Sequence, residues 1–216
     1  MSAAPSRRLI QRLRRSLRPV ALTCWAGLLP VVSGAASLEV CQVCHGVRGE
    51  GNPALHAPAL AGQQRGYLER QLTNFRTGRR GADPLDVNGA VMRAQAWALD
   101  PGNFAALAAA FSSLPVAPAP SGGGDAARGK IRYQAECAAC HGLRGEGYAQ
   151  LGTPDLRILD AGYIAAQLEA FRRGWRGATV DDGARDQHGE WMRAVAATIG
   201  DPRDPDDIQA FLAEQR

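Results

Sequence analysis

The sequence predicts an all-α protein built as two similar domains in tandem, and three observations carry that reading. Shifting the chain by 96 residues, and by 100 once four extra residues in the second copy are allowed, lays one half over the other. Apolar residues recur at helical spacing, and no alternating β pattern or hairpin signal competes with them. A stretch rich in proline and glycine, "LPVAPAPSGGGDAA", separates the halves and cannot build a packed element. With 216 residues and 45% hydrophobic content the chain suffices for two small globular domains. Each has fewer than about 100 residues, a size at which a core of side chains alone is marginal.

The first element is a leader. Six arginines (Arg7, Arg8, Arg12, Arg14, Arg15, Arg18) and no acid precede the apolar run "PVALTCWAGLLPVV" and the small residues "SGAAS". These are the n-region, h-region and cleavage site of a secretory signal. The run has 14 residues, short of the roughly 20 that cross a bilayer as a helix, and Pro30 interrupts it. Residues 1–35 are therefore expected to be a signal peptide, cut after Ala35 or Ala36. Cys24 leaves with it, since Thr23 makes "ALTC" a poor lipoprotein site. "SRRLI" has only a faint twin-arginine character, and an uncleaved segment would act as an anchor. Taking six of 25 basic residues away leaves 19 against 21 acidic ones, so the mature chain carries a net −2 instead of +4. Nucleic acid is thus not an expected partner.

The first domain, residues 36–114, opens on "CQVCHGVRGEG" from Cys41; the linker is 115–125; the second domain, 126–216, carries "CAACHGLRGEG" from Cys137. "DAARGKIRYQAECAACH" reads as a helix that delivers the second motif, whereas only about five residues separate the expected cleavage point from Cys41. The corresponding first helix must be truncated. In "GQQRGYLERQLTNFRTGRRG" the residues Tyr67, Leu68, Leu72 and Phe75 stand at helical spacing, and "AGYIAAQLEAFRRGWRG" repeats this with Tyr163, Ile164, Leu168 and Phe171. "DPGNFAALAAAFSSLP" and "DPRDPDDIQAFLAEQR" read as closing helices with acidic first turns, which suit the helix dipole.

The two CxxCH motifs admit several chemistries. Zinc needs four converging ligands, but each cysteine pair lies in its own repeat across a linker. A thioredoxin-like site expects a βαβ surround that is absent, and disulfides across two intervening residues would staple almost nothing. Haem attachment accounts for every element. Two cysteines three apart, Cys41 with Cys44 and Cys137 with Cys140, can each bond one haem vinyl group, while His45 or His141 offers its imidazole to the iron. Two covalently bound haem c groups are expected, and the porphyrin supplies the apolar bulk that such short domains lack. For the opposite axial position, the only methionines besides Met1 are Met92 and Met192, which are repeat counterparts lying 47 residues after His45 and 51 after His141. His45, Met92, His141 and Met192 are the expected iron ligands. His56 has no repeat partner and reads as a surface or packing histidine; His188, opposite Asn88 in the first copy, is the rival ligand.

In combination, CxxCH, a proline 13 residues after the histidine, the Tyr-to-Phe helix and then methionine resemble class I cytochrome c domains. The tandem arrangement resembles the dihaem cytochromes c of the c4 type over nearly the whole chain from Ser37 to Arg216. The resemblance implies two tandem class I cytochrome c domains, each wrapped around one covalently attached haem. It further implies that the carbonyls of Pro58 and Pro154 accept a hydrogen bond from the ring nitrogens of His45 and His141 that do not face iron.

An iron with both axial positions filled offers no site for substrate, so the expectation is outer-sphere electron transfer, not enzymatic turnover, at a fairly high potential. By resemblance, a periplasmic carrier would take electrons from a quinol-oxidising complex or dehydrogenase and pass them to a terminal oxidase or other reductase. The alternative is the cytochrome subunit of a larger complex, such as a flavoprotein dehydrogenase. A dihaem peroxidase would need one open iron, which equivalent methionines in both halves argue against. Membrane association is expected only through a partner or an uncleaved signal. From Ala36 to Pro118 the net charge is +1 and from Ala119 onward −3, a difference that a solvated surface explains as well as a docking dipole.

Overall fold

A computed structural model describes residues 37–117, 123–177 and 185–215. The expected signal peptide, and Cys24 with it, lies outside the described residues. Among the described residues there are nine α-helices and no β-strand. In the first half, α1 (Glu39–His45) carries the Cys41 motif, α2 (Arg65–Arg76) is the Tyr-to-Phe helix, and α3 (Val87–Ala98) and α4 (Phe104–Ser112) follow. The second half repeats the order. Here α5 (Ala126–Glu136) leads into α6 (Ala138–His141), and α7 (Ala161–Arg172), α8 (Gln187–Ala196) and α9 (Asp204–Ala213) complete the series.

Helices α3 and α8, which hold Met92 and Met192, were not legible from apolar spacing. Their start signal is an aspartate cap: the Asp86 side chain accepts from Gly89 N–H at 2.9 Å and Asp186 from Gly189 N–H at 3.1 Å. The acidic first turn expected of both closing helices is present in α9, at Asp204, Asp206 and Asp207, and absent from α4. Asp100 instead caps a 3-10 turn, Pro101–Asn103, that precedes α4.

The two cores differ in size. In the second half α5 packs along α9, the most extensive helix contact among the described residues. The core there gathers Tyr133, Ile158, Leu159, Ile164, Ile208, Phe211 and Leu212, with the Tyr133 and Phe211 rings 5.3 Å apart. The first half has no counterpart of α5 among the described residues, and its buried cluster reduces to Leu68, Ala108 and Phe111 with half-buried neighbours. Gly129 sits where α5 crosses α9, and a Cβ there would collide with the Asp207 carbonyl. Gly129→Ala is expected to cost about 1–3 kcal/mol through overpacking, read as a lower denaturation midpoint.

The halves meet through repeat-matched residues. The Arg80 guanidinium donates to Gln71 Oε1 of its own half and, across the interface, to Tyr163 Oη and Gln167 Oε1, each at 2.9 Å. Arg176 mirrors it, donating to Gln167 Oε1 at 2.6 Å within its half and across to Gln71 Oε1 at 2.9 Å and Tyr67 Oη at 3.5 Å. Each guanidinium also stacks over a phenyl ring of its own half, Phe75 or Phe171, at 4.4 Å. Burial raises the Tyr67 phenol, but the Arg176, Arg80 and Arg70 charges outweigh it and draw it below its usual value. Positions that aligned in the sequence as Tyr67/Tyr163, Gln71/Gln167 and Arg80/Arg176 thus form a near-symmetric interdomain seam.

Candidate functional site

Each CxxCH motif is a short helix that ends on its histidine. Cys41, Cys44 and His45 lie on α1; Cys137 caps α6, which carries Cys140 and His141. The next residues, Gly46 and Gly142, take φ of +85° and +84°, which turns the chain away. The following "RGEG" turn has two devices that reading the sequence alone left without a role. Glu50 and Glu146 close it by accepting from the Arg48 and Arg144 amides at 2.8 and 2.9 Å. Gly51 and Gly147 donate to the His45 and His141 carbonyls at 2.7 Å. Their missing Cβ atoms let the backbone of Pro58–Ala59 and Thr153–Pro154 lie against the turn. Glycine is what brings the proline to the histidine.

The histidines are placed by that contact. His45 is 5% exposed and its Nδ1 lies 2.8 Å from the Pro58 carbonyl; His141 is 6% exposed, with Nδ1 at 3.4 Å from the Pro154 carbonyl. A carbonyl can only accept, so Nδ1 carries the proton and Nε2 keeps its lone pair. Burial lowers both imidazole pKa values, partly opposed by the proline bond, so both rings are neutral near pH 7. A neutral imidazole with a fixed tautomer and a free Nε2 is the form that binds metal.

Met92 and Met192 are half-buried at equivalent places on α3 and α8, three residues past Gly89 and Gly189. Those glycines pack against Gly81 and Gly177, where any Cβ would collide with the helix backbone, so the chain at Gly81 and at Gly177 is tied to the methionine helices. His56 is exposed at the end of a 3-10 turn with φ +52°, remote in role from either motif. His188 has its Nε2 at 3.0 Å from the Leu151 carbonyl and its ring edge-on to Trp191 at 5.3 Å.

The geometry separates the candidate chemistries. Cys41, Cys44, Cys137 and Cys140 form no disulfide, and among the described residues no three His, Cys, Asp or Glu side chains converge on a point as zinc requires. Thiol redox chemistry needs a lowered pKa. Burial instead raises Cys41 and pushes Cys137 up to about 12. A haem fits what is present. Large apolar side chains stand in water near each motif and methionine: Val43, Val47 and Val91 in the first half, Leu143, Leu151 and Trp191 in the second. Among the described residues, buried donors without partners are Arg70 Nε, Asn74 Nδ2, Arg79 Nε and Arg93 Nε in the first half and Arg176 Nε in the second. A haem c would bring apolar faces to cover such side chains and two carboxylates that buried donors of this kind can pair with.

Comparison with known proteins agrees with this site. The family model for cytochrome c matches residues 31–111 and again 126–215. The chain is 30% identical to the cytochrome c4 of Pseudomonas aeruginosa over 175 residues, 77% of this chain and 80% of that one. It is 33% identical to the thiosulfate dehydrogenase electron acceptor of Thiomonas intermedia over 163 residues, 70% of this chain and 71% of that one. The solved cytochrome c4 structure of Acidithiobacillus ferrooxidans superimposes with a TM-score of 0.64 at 31% identity, covering 81% of this chain and 98% of the other. With one CxxCH motif per domain the chain carries two covalently bound haem c groups, which supply a one-electron ferric/ferrous couple in each half. The chain belongs to the cytochrome c family, as a dihaem electron carrier of the c4 type.

Proposed function

We propose that this carrier works in the periplasm, after removal of residues 1–35 as a signal peptide, as a soluble link of a respiratory chain. Its two functional domains are 36–114 and 126–216, joined by 115–125. Cys41, Cys44, Cys137 and Cys140 hold the haems by thioether bonds, and the iron ligands are His45 with Met92 and His141 with Met192. The observation that carries the assignment is the repeat-matched pairing of a buried, neutral histidine, its Nδ1 spent on a proline carbonyl, with one half-buried methionine per domain. The chain's own groups orient the imidazole through Pro58 or Pro154 and supply donors to anionic substituents. With both axial positions taken, the residues leave no place for a substrate, and electrons pass between protein surfaces.

The donor is a quinol-oxidising complex or a dehydrogenase, and the acceptor a terminal oxidase or other reductase. A second reading, the electron-accepting subunit of a larger dehydrogenase, is favoured by the relative named as a thiosulfate dehydrogenase electron acceptor. Gel filtration and co-purification of the native protein separate the two, since a free carrier elutes alone. Among the described residues no helix is long and apolar enough to cross a membrane. Mass spectrometry of the exported protein is expected to find Ala36 or Ser37 at the N-terminus, while an intact Met1 in the membrane fraction would make the leader an anchor.

A further inference from the structure

We propose that Gln63, a residue of the first domain, is a positioning residue for the iron ligand His141 of the second, acting through a single peptide plane. The proposal rests on the reading of His141 as an axial ligand. The Gln63 side chain is 1% exposed and crosses the interface to clamp the backbone of Asp155 at both ends: Oε1 accepts from Asp155 N–H at 2.8 Å and Nε2 donates to the Asp155 carbonyl at 2.9 Å. Oε1 also accepts from Gln64 N–H at 2.8 Å, and two backbone donors on one oxygen fix which end of the amide faces which way.

The bond to Asp155 N–H matters because of what lies across that peptide unit. Asp155 N–H and Pro154 C=O belong to the same rigid, planar group. The Pro154 carbonyl is the acceptor for His141 Nδ1–H. A continuous chain therefore runs from Gln63 Oε1 through the 154–155 peptide to the His141 ring. Holding the N–H fixes the tilt of the plane, and polarising it makes the carbonyl a better acceptor. A better acceptor at Nδ1 makes the imidazole a stronger donor to a metal at Nε2 and favours the more highly charged ferric ion. At 3.4 Å the His141 bond is at the long end of the hydrogen-bond range, so it depends on what orients its acceptor.

The arrangement is one-sided. The repeat counterpart of Gln63 is Leu159, which has no amide to offer. Among the described residues no side chain accepts from the amide of Ala59, which shares its peptide with Pro58. First-domain residues also reach either side of the clamp, with Gln64 Nε2 donating to the Glu146 carbonyl at 3.1 Å and Arg70 to the Gly152 carbonyl. Only the bond from Gln63, however, falls on the peptide that accepts from a histidine ring; the Gln64 bond falls on the 146–147 peptide, whose N–H holds the His141 main-chain carbonyl. The first domain thereby tunes the second domain's haem, without a reciprocal device.

The test uses the full holoprotein with Gln63→Met, which matches the side chain's length without its amide, and Gln63→Asn, which draws the amide back by one methylene. Gln64→Ala is the control, removing a neighbouring interface bond that does not touch the 154–155 peptide. NMR assigns the two haems and follows exchange of the histidine Nδ1 protons; a redox titration gives the two potentials. In either Gln63 variant the second haem's equilibrium is expected to move roughly three- to tenfold towards ferrous iron, tenfold being 59 mV. The His141 Nδ1 proton should exchange faster, while haem 1, His45 and the Gln64→Ala protein stay at wild-type values. Unchanged potential and exchange at His141 in the Gln63 variants would overturn the proposal, as would equal shifts at both haems that Gln64→Ala reproduces. A wild-type spectrum without histidine ligation at the second iron would instead refute the ligand assignment beneath it.

Discussion

Replacing Met192 by histidine is expected to lower the potential of the second haem by on the order of 100 mV or more, with the first haem unmoved, and Met92→His to do the converse. The methionine thioether is soft and favours ferrous iron, whereas a second imidazole stabilises ferric iron relatively better. A change of 59 mV corresponds to tenfold in a one-electron equilibrium, so the shift stands well clear of the few-fold effect expected at Gln63. Each methionine lies on a helix begun by its own capped aspartate and pinned by a glycine contact within its own half, so the effects should be separable. Half of the near-infrared absorption of sulfur-ligated ferric haem should vanish in either variant. Retention of the full band and both potentials would remove the methionines from the ligand set. His188 would then be the first residue to re-examine in the second domain, and its Leu151 bond would have to be kept through Nε2 with Nδ1 free, or broken.

Loss of an entire cofactor is expected from Cys140→Ala or His141→Ala. Without a complete motif to present both thiols and the axial imidazole, the second domain should fail to acquire its haem, while the first keeps one that survives acidified organic extraction. The physical reason for independence is that the direct contacts to each motif come from its own half, Gly147 N–H on the His141 carbonyl, Glu146 on the Arg144 amide and Pro154 on the ring, with Gln63 and Gln64 acting only through the peptides behind them. Leu143, Leu151 and Trp191 would then remain in water, and the variant should bind hydrophobic dyes and unfold at lower denaturant. Intact mass reads the outcome directly as one haem in place of two. A variant that retained both through extraction would show that Cys140 and His141 are dispensable for attachment.

Much of this was legible in the sequence because the chain states it twice. The repeat shift paired Tyr67 with Tyr163, Gln71 with Gln167 and Arg80 with Arg176 before any geometry was known. What it could not convey was that these residues face one another across the halves: a repeat shows that two positions are equivalent, not that they touch. The helices holding Met92 and Met192 went unread because α3 and α8 begin on an Asp-to-glycine cap and expose Val87, Val91, Trp97 and Trp191, so no clean apolar stripe marks them. Exposed apolar side chains beside a cofactor site confuse periodicity, since their partner is not protein. Gln63 was invisible for the opposite reason. It breaks the repeat, with Leu159 opposite, and a lone glutamine before a helix carries no signal until its side chain is found on Asp155.

Redox titration of the exported, wild-type protein, followed in the visible and near infrared, bears most directly on the claim of a dihaem carrier with histidine–methionine ligation in both halves. The account predicts two one-electron steps at fairly high potential. Both ferric haems should be low-spin, with the sulfur-to-iron charge-transfer band falling away in proportion as each is reduced. A single one-electron step, a high-spin ferric component that binds added ligands, or a near-infrared band accounting for only one iron would contradict it.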